Sequence, residues 1–204
     1  MFCVLFLAFL KNHVPTAHLI ITIVFFNMAR RYYRRRTVVR APRKKWGSNI
    51  LNFNITTAGT AQLQGGSTNL VVNSASTANP TPVIIKAGNF KVQGDAFFIA
   101  SAATQVELSM YVIYLPEGVT PSDAAGYQSL ITAHPEWVLA WKFISANRVS
   151  QAATDQSLSF SLSSRLKRNL NSGDRIVLVG IAAAGNSLTS ANFAGLCQYW
   201  TCAN

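Results

Sequence analysis

Acidic residues are scarce in this chain. Seven Asp and Glu are spread over 204 residues, a poor stock for general acid–base chemistry. Histidine is scarcer still: His13, His18 and His134 are the only three. His134 stands next but one to Glu136, a spacing that allows an acid–base pair but equally an ordinary surface contact. Cysteine is limited to Cys3, Cys197 and Cys202, an odd count without a CxxC pair or a histidine cluster nearby. Neither a disulfide framework nor a zinc site is signalled, although a bridge between Cys197 and Cys202 stays open. No GxSxG nucleophile turn and no Walker-type phosphate loop occurs. These absences point to a non-enzyme with no metal and no cofactor. The longest apolar runs, within MFCVLFLAFL and LIITIVFF, each fall short of the ~20 residues a membrane-spanning helix needs. No repeat that would mark a propeller or a solenoid is evident.

What is abundant is positive charge, and it is concentrated. Between Met28 and Lys45 lie Arg30, Arg31, Arg34, Arg35, Arg36, Arg40, Arg43, Lys44 and Lys45, half of the 18 Lys and Arg, with no acidic residue among them. From Trp46 to Asn204 eight basic residues face all seven acidic ones, so the remaining body is nearly neutral although the chain carries a formal +11. The sequence therefore divides into an apolar leader (1–27), a basic arm (28–46) and a body (47–204). Dense like charge, with Pro42 late in the run, predicts an arm that stays disordered until it meets a partner. Arginine outnumbers lysine, and Tyr32, Tyr33 and Trp46 are interleaved. Guanidinium forks grip phosphate bidentately and aromatic rings stack on bases, which favours nucleic acid over a merely solubilising tail. A nuclear-import address would use the same residues. The leader admits two readings: translated sequence upstream of a start at Met28, or an interfacial membrane segment with the basic run behind it as a lipid anchor.

The body reads as strands. SNILNFNITT, NLVVN (69–73), PVIIKAGNFKV (82–92), AFFIA (96–100), QVELSMYVIYL (105–115), WVLAWKFIS (137–145), SLSFSLSS (157–164), DRIVLVGIAAA (174–184) and AGLCQYWTC (194–202) are β-branched or aromatic runs bounded by turn residues. In QVELSMYVIYL, Val106, Leu108, Met110, Val112 and Tyr114 form one apolar face and the alternate positions a mixed one. The connection 116–137 is the exception: Ser122 is expected to cap a short helix carrying Tyr127, Leu130 and Ile131 that stops before Pro135. NSGDR (171–175) reads as a turn. Eight or nine strands without βα alternation predict an all-β fold, and an eight-stranded antiparallel jelly-roll sandwich fits well. Arg165, Lys167 and Arg168, in SSRLKRNLNSGD, form a second basic cluster at a strand end. It is either a solvated loop or an extension of the arm's phosphate-binding surface. Asn54-Ile55-Thr56 is a formal glycosylation triplet inside a predicted strand, and it is discounted. So few charges for a body of this size suggest that neighbouring subunits cover part of it.

Residues 28–204 resemble the capsid proteins of small circular single-stranded DNA viruses that encode a replication initiator, the circovirus-like group. The resemblance rests on MARRYYRRR with further Arg and Lys behind it, the first strand after it, YVIYLPEGVTP, HPEWVLAWKFIS and RNLNSGDRIVLVG. It implies a single jelly-roll domain and a homo-oligomeric icosahedral shell of roughly sixty subunits. It also implies an arm that contacts a single-stranded DNA genome and is read by the nuclear import machinery, with the protein in the virion and the host nucleus. The leader before Met28 departs from the group's pattern. Neither host nor receptor is legible.

Overall fold

The computed structural model describes residues 45–60, 62–74, 84–100, 105–148, 154–185 and 188–203. The leader, and the basic run as far as Lys44, lie outside the described residues. Among the described residues, nine strands, one α-helix and one 3₁₀ turn follow in order. The strands are β1 (Gly47–Thr56), β2 (Ala58–Gly59), β3 (Leu63–Val72), β4 (Ile85–Ala100), β5 (Gln105–Leu115), β6 (Val138–Arg148), β7 (Thr154–Leu170), β8 (Arg175–Ala184) and β9 (Leu188–Ala203). They build two antiparallel sheets, one in the order β1-β9-β4-β7 and the other β2-β3-β8-β5-β6. Apart from the two-residue β2, the chain crosses between the sheets at every step except β5 to β6. That path makes an eight-stranded jelly roll.

The alternation in the sequence decides which side chains meet between the sheets. Phe90, Val92, Ala96 and Phe98 of β4, Phe160 and Leu162 of β7, and Phe193 and Cys197 of β9 point inward from the first sheet. They meet Val106, Leu108, Met110 and Val112 of β5 and Ile176, Leu178 and Ala182 of β8 from the second. Fully burying a side chain of this kind contributes on the order of 1.5–3 kcal/mol.

The mixed face of β5 has its explanation in the long connection. Helix α1 (Ala124–Ala133) lies over the outer face of the second sheet, where Tyr127, Leu130 and Ile131 pack on Ile113, Leu115, Val177, Val179 and Ile181. β8 is therefore buried on both faces, which is why RIVLVGIAAA reads as one continuous apolar run. Glu107, outside that contact, is exposed. The cap of α1 is Asp123, whose Oδ1 accepts from the Gly126 N–H at 2.7 Å, and not Ser122. A carboxylate three residues ahead of the orphan N–H reaches it directly.

Two boundaries differ from the sequence pattern. IKAGNFKV (85–92) and AFFIA (96–100) fall in a single 16-residue strand, because β7 and β9 pair with it on both sides past Gly94. RLKRNL continues β7 to Leu170 instead of ending it, since the ladder to β4 runs on to Ile85. In both places cross-strand pairing overrides local punctuation.

The turn after β7 is tied down by a buried carboxylate. Asp174 accepts from the Tyr114 hydroxyl at 2.9 Å, the Asn171 N–H at 2.8 Å and the Glu117 N–H at 3.2 Å. Asn73 pairs with the same turn through its backbone and donates its side-chain amide to the Leu170 carbonyl at 2.9 Å.

Candidate nucleic-acid interface

The outer face of the first sheet is polar along most of its length and basic at one end. Register fixes which residues share a row. Ser48, Trp200, Gly88 and Lys167 stand opposite one another on β1, β9, β4 and β7. The neighbouring rows carry Lys86 on one side, and Lys91 between Gln198 and Ser163 on the other. Lys45 and Trp46 immediately precede β1 at this same end. Two cations lie over indole rings: the Lys167 Nζ is 5.0 Å from the Trp46 ring centroid, and the Lys91 Nζ is 5.7 Å from that of Trp200. Arg165 joins Lys91 and Trp200 in lining a cleft of about 390 Å³. Along β4 the first carboxylate is Asp95, four residues beyond Lys91. At ~3.3 Å per residue that is about 13 Å, more than a Debye length at physiological salt. On β4 itself, Lys86 and Lys91 thus have no carboxylate within screening range.

A backbone irregularity makes this arrangement possible. Lys86 and Lys91 are five apart, and strict alternation would send them to opposite faces. Around Asn89 the register of β4 shifts against both neighbours, and Ala87 and Phe90, three apart, both point into the core. Asn89 itself has φ 55°, a left-handed conformation that Asn tolerates better than most residues. One extra residue thus returns Lys91 to the face that Lys86 occupies. Gly88 is required beside it: a Cβ there would stand 2.6 Å from the Lys167 Cγ and 2.8 Å from the Leu166 carbonyl oxygen.

No protein-family model matches the chain, and no curated protein sequence is close enough to count as a relative. Among solved structures it is similar to Desmodium yellow mottle tymovirus (TM-score 0.28, 12% identity, covering 81% of this chain and 94% of that one). It is also similar to the infectious bursal disease virus Gt strain (TM-score 0.23, 14% identity, 77% of this chain and 41% of that one). A third is Eiger TNF from S. frugiperda (TM-score 0.25, 9% identity, 73% and 91%). These values assign the chain to none of the three.

Of the basic residues singled out from the sequence, Arg30, Arg31, Arg34, Arg35, Arg36, Arg40, Arg43 and Lys44, with Tyr32 and Tyr33, lie outside the described residues. Lys45 is described and exposed, and the triplet at the end of β7 is divided by the pleat. Lys167 and Arg165 belong to the basic face. Arg168 pairs with inward-facing Ala87 and lays its guanidinium over the Tyr114 ring, 4.4 Å from the centroid. Burial, and then the hydrogen bond to Asp174, push the Tyr114 hydroxyl above its ordinary value, so it stays a donor. Lys86, Lys91 and Trp200, which sequence reading passed over, are brought in by register alone.

His134 does meet Glu136, Nδ1 to Oε1 at 3.2 Å, and stacks on Trp137 with centroids 4.0 Å apart. Glu136 is held below the usual carboxylate range, first by a hydrogen bond from its own backbone and then by His134. The pair is solvent-exposed, and the Arg168 charge adds to the lowering of the Glu136 carboxyl. Cys197 and Cys202 are five apart on one continuous strand and so point to opposite faces, which forbids a bridge between them.

Proposed function

We propose that the chain is the coat protein of a small virus with a circular single-stranded DNA genome. Its jelly roll supplies the contacts between subunits, and its basic run binds the packaged strand. The observation that carries this reading is the distribution of charge. Half of the Lys and Arg lie between Met28 and Lys45, just ahead of β1, and the folded domain, otherwise nearly neutral, gathers Lys86, Lys91, Arg165 and Lys167 at the end where the chain enters β1. A jelly roll by itself hosts many functions; a basic arm leading into a basic sheet end narrows them to polyanion binding. Trp141 and Phe143, 64% and 46% exposed on the edge strand β6, offer the apolar surface that subunit contacts bury. A shell of roughly sixty copies follows if the contacts close with icosahedral symmetry. The Arg-rich run would also serve as the address for import into the host nucleus.

Electron microscopy of the purified full-length protein tests the assembly claim, and salt-dependent binding of single-stranded DNA tests the arm. Closed, uniform spheres are expected. If five to nine phosphates are engaged, log K should fall against log salt with a slope of about −3 to −6. A protein that remains monomeric and binds with a flat salt response would overturn the reading.

A further inference from the structure

We propose that the cleft beside the β4 irregularity is a stacking site for an unpaired nucleobase, so that the folded domain itself, and not the arm alone, selects single-stranded over duplex nucleic acid. The inference rests on the coat-protein reading and names the form of nucleic acid that this face takes.

The cleft is lined by Asn89, Phe90, Lys91, Ser163, Arg165 and Trp200, and its volume of about 390 Å³ lies within the ~300–1,000 Å³ usual for sites that hold a small organic group. Its chemistry matches a nucleotide part by part. Trp200 offers an indole on the outer face of the sheet, and base–aromatic stacking is tolerant of sequence because every base has a π-face. The Asn89 carboxamide both donates and accepts, as a base edge requires. Arg165 and Lys91 supply cations at the rim for the attached phosphate. The Lys91 ammonium, 5.7 Å from the Trp200 centroid, is held there by the ring's quadrupole and can pass to a phosphate when a base takes its place. On the far side of Trp200 in the same row stands Gly88. Having no side chain, it lets Lys167 lie across it, with the Lys167 Cγ 2.6 Å from where a Cβ would stand, and the Lys167 ammonium goes on to Trp46, a second cation–indole pair in the next position of the row.

Discrimination follows from geometry. In a duplex both faces of each base are covered by its stacked neighbours, so only an unpaired base can lay its face on Trp200. Phosphate contacts to the lysines are open to either form and carry no such preference.

The experiment titrates the full-length protein with a short oligothymidylate and with a DNA duplex of the same length, each across a range of salt. Trp200→Leu should weaken oligothymidylate binding by about tenfold to a hundredfold, leave its salt slope unchanged, and leave duplex binding unchanged. Trp200→Phe should restore most of the loss, and Lys91→Gln should flatten the slope by about 0.7. Phe97→Leu, an exposed aromatic at the far end of the same sheet, should do nothing. If Trp200→Leu and Trp200→Phe both bind the two probes as the parent does, the stacking site is overturned, while a steep parental slope leaves the coat-protein reading standing. A flat parental slope removes that reading, and the Trp200 variants still judge the cleft. Should the Leu variant fail to fold, Trp200→Met, nearer the indole in bulk but without an aromatic face, takes its place: unchanged oligothymidylate binding by it overturns the site.

Discussion

Replacing Asp174 should unfasten one end of the sandwich. Its carboxylate, 4% exposed, accepts from one hydroxyl and two backbone N–H groups, and those donors belong to Tyr114, Asn171 and Glu117. Asp174→Ala leaves all three without this acceptor. A buried orphan donor costs about 1–3 kcal/mol. The Tyr114 hydroxyl, in the core, should bear that in full, and the two N–H groups, nearer solvent, should bear less, for a total of roughly 3–5 kcal/mol. Against the ~5–15 kcal/mol of a typical domain this is a large fraction. Asp174→Asn keeps the shape and one acceptor oxygen, and should cost about half as much. Tyr114→Phe removes a single donor and should cost about 1–2 kcal/mol, with a coupling to Asp174 of about 1 kcal/mol in a double-mutant cycle. Urea unfolding of the monomeric protein is the assay, because any self-association would add its own free energy to the apparent stability. An Asp174→Ala protein within about 1 kcal/mol of the parent, or strict additivity with Tyr114→Phe, would refute the account of this turn.

Gly180 on β8 faces the core where an added Cβ would lie 2.4 Å from the Phe193 ring. Gly180→Ala should therefore destabilise by about 1–3 kcal/mol, read as a lower urea midpoint; a neutral effect would mean that Phe193 is free to move aside. Burial pushes the Cys197 thiol up from 9.0 to about 12. The folded value lies above the unfolded one, so its contribution to stability is complete below about pH 9 and is lost as pH rises towards 12. The Cys197 peptide should resist alkylation at mildly alkaline pH until the protein is unfolded, as mass spectrometry of the digested protein would show. Labelling in the native state would contradict its placement.

Much of this fold was legible in the sequence, because a strand that buries one face must alternate. Val106 to Tyr114 announces its core face with no structure in hand, and a β-rich chain free of βα alternation leaves few architectures. The local signals failed where the ladder outweighed them: Gly94 looks like a break but sits mid-strand, and RLKRNL looks like a loop but pairs with β4. The basic character of the arm follows from composition and needs no fold, since half of the cations lie within a run that holds no acid. What composition could not reveal is the company that Lys45 and Trp46 keep. Lys86, Lys91, Lys167 and Trp200 are scattered over more than a hundred positions, and parity alone places Lys86 and Lys91 on opposite faces. Cross-strand register and the single extra residue at Asn89 bring them onto one face, and the same pleat turns Arg168 away from Lys167 into the gap between the sheets. Sequence by itself determined that this protein carries a concentrated positive charge and a β-rich body. Tertiary structure decided which side chains of that body share the charge, because a sheet's face is set by backbone pairing between residues that the chain keeps far apart.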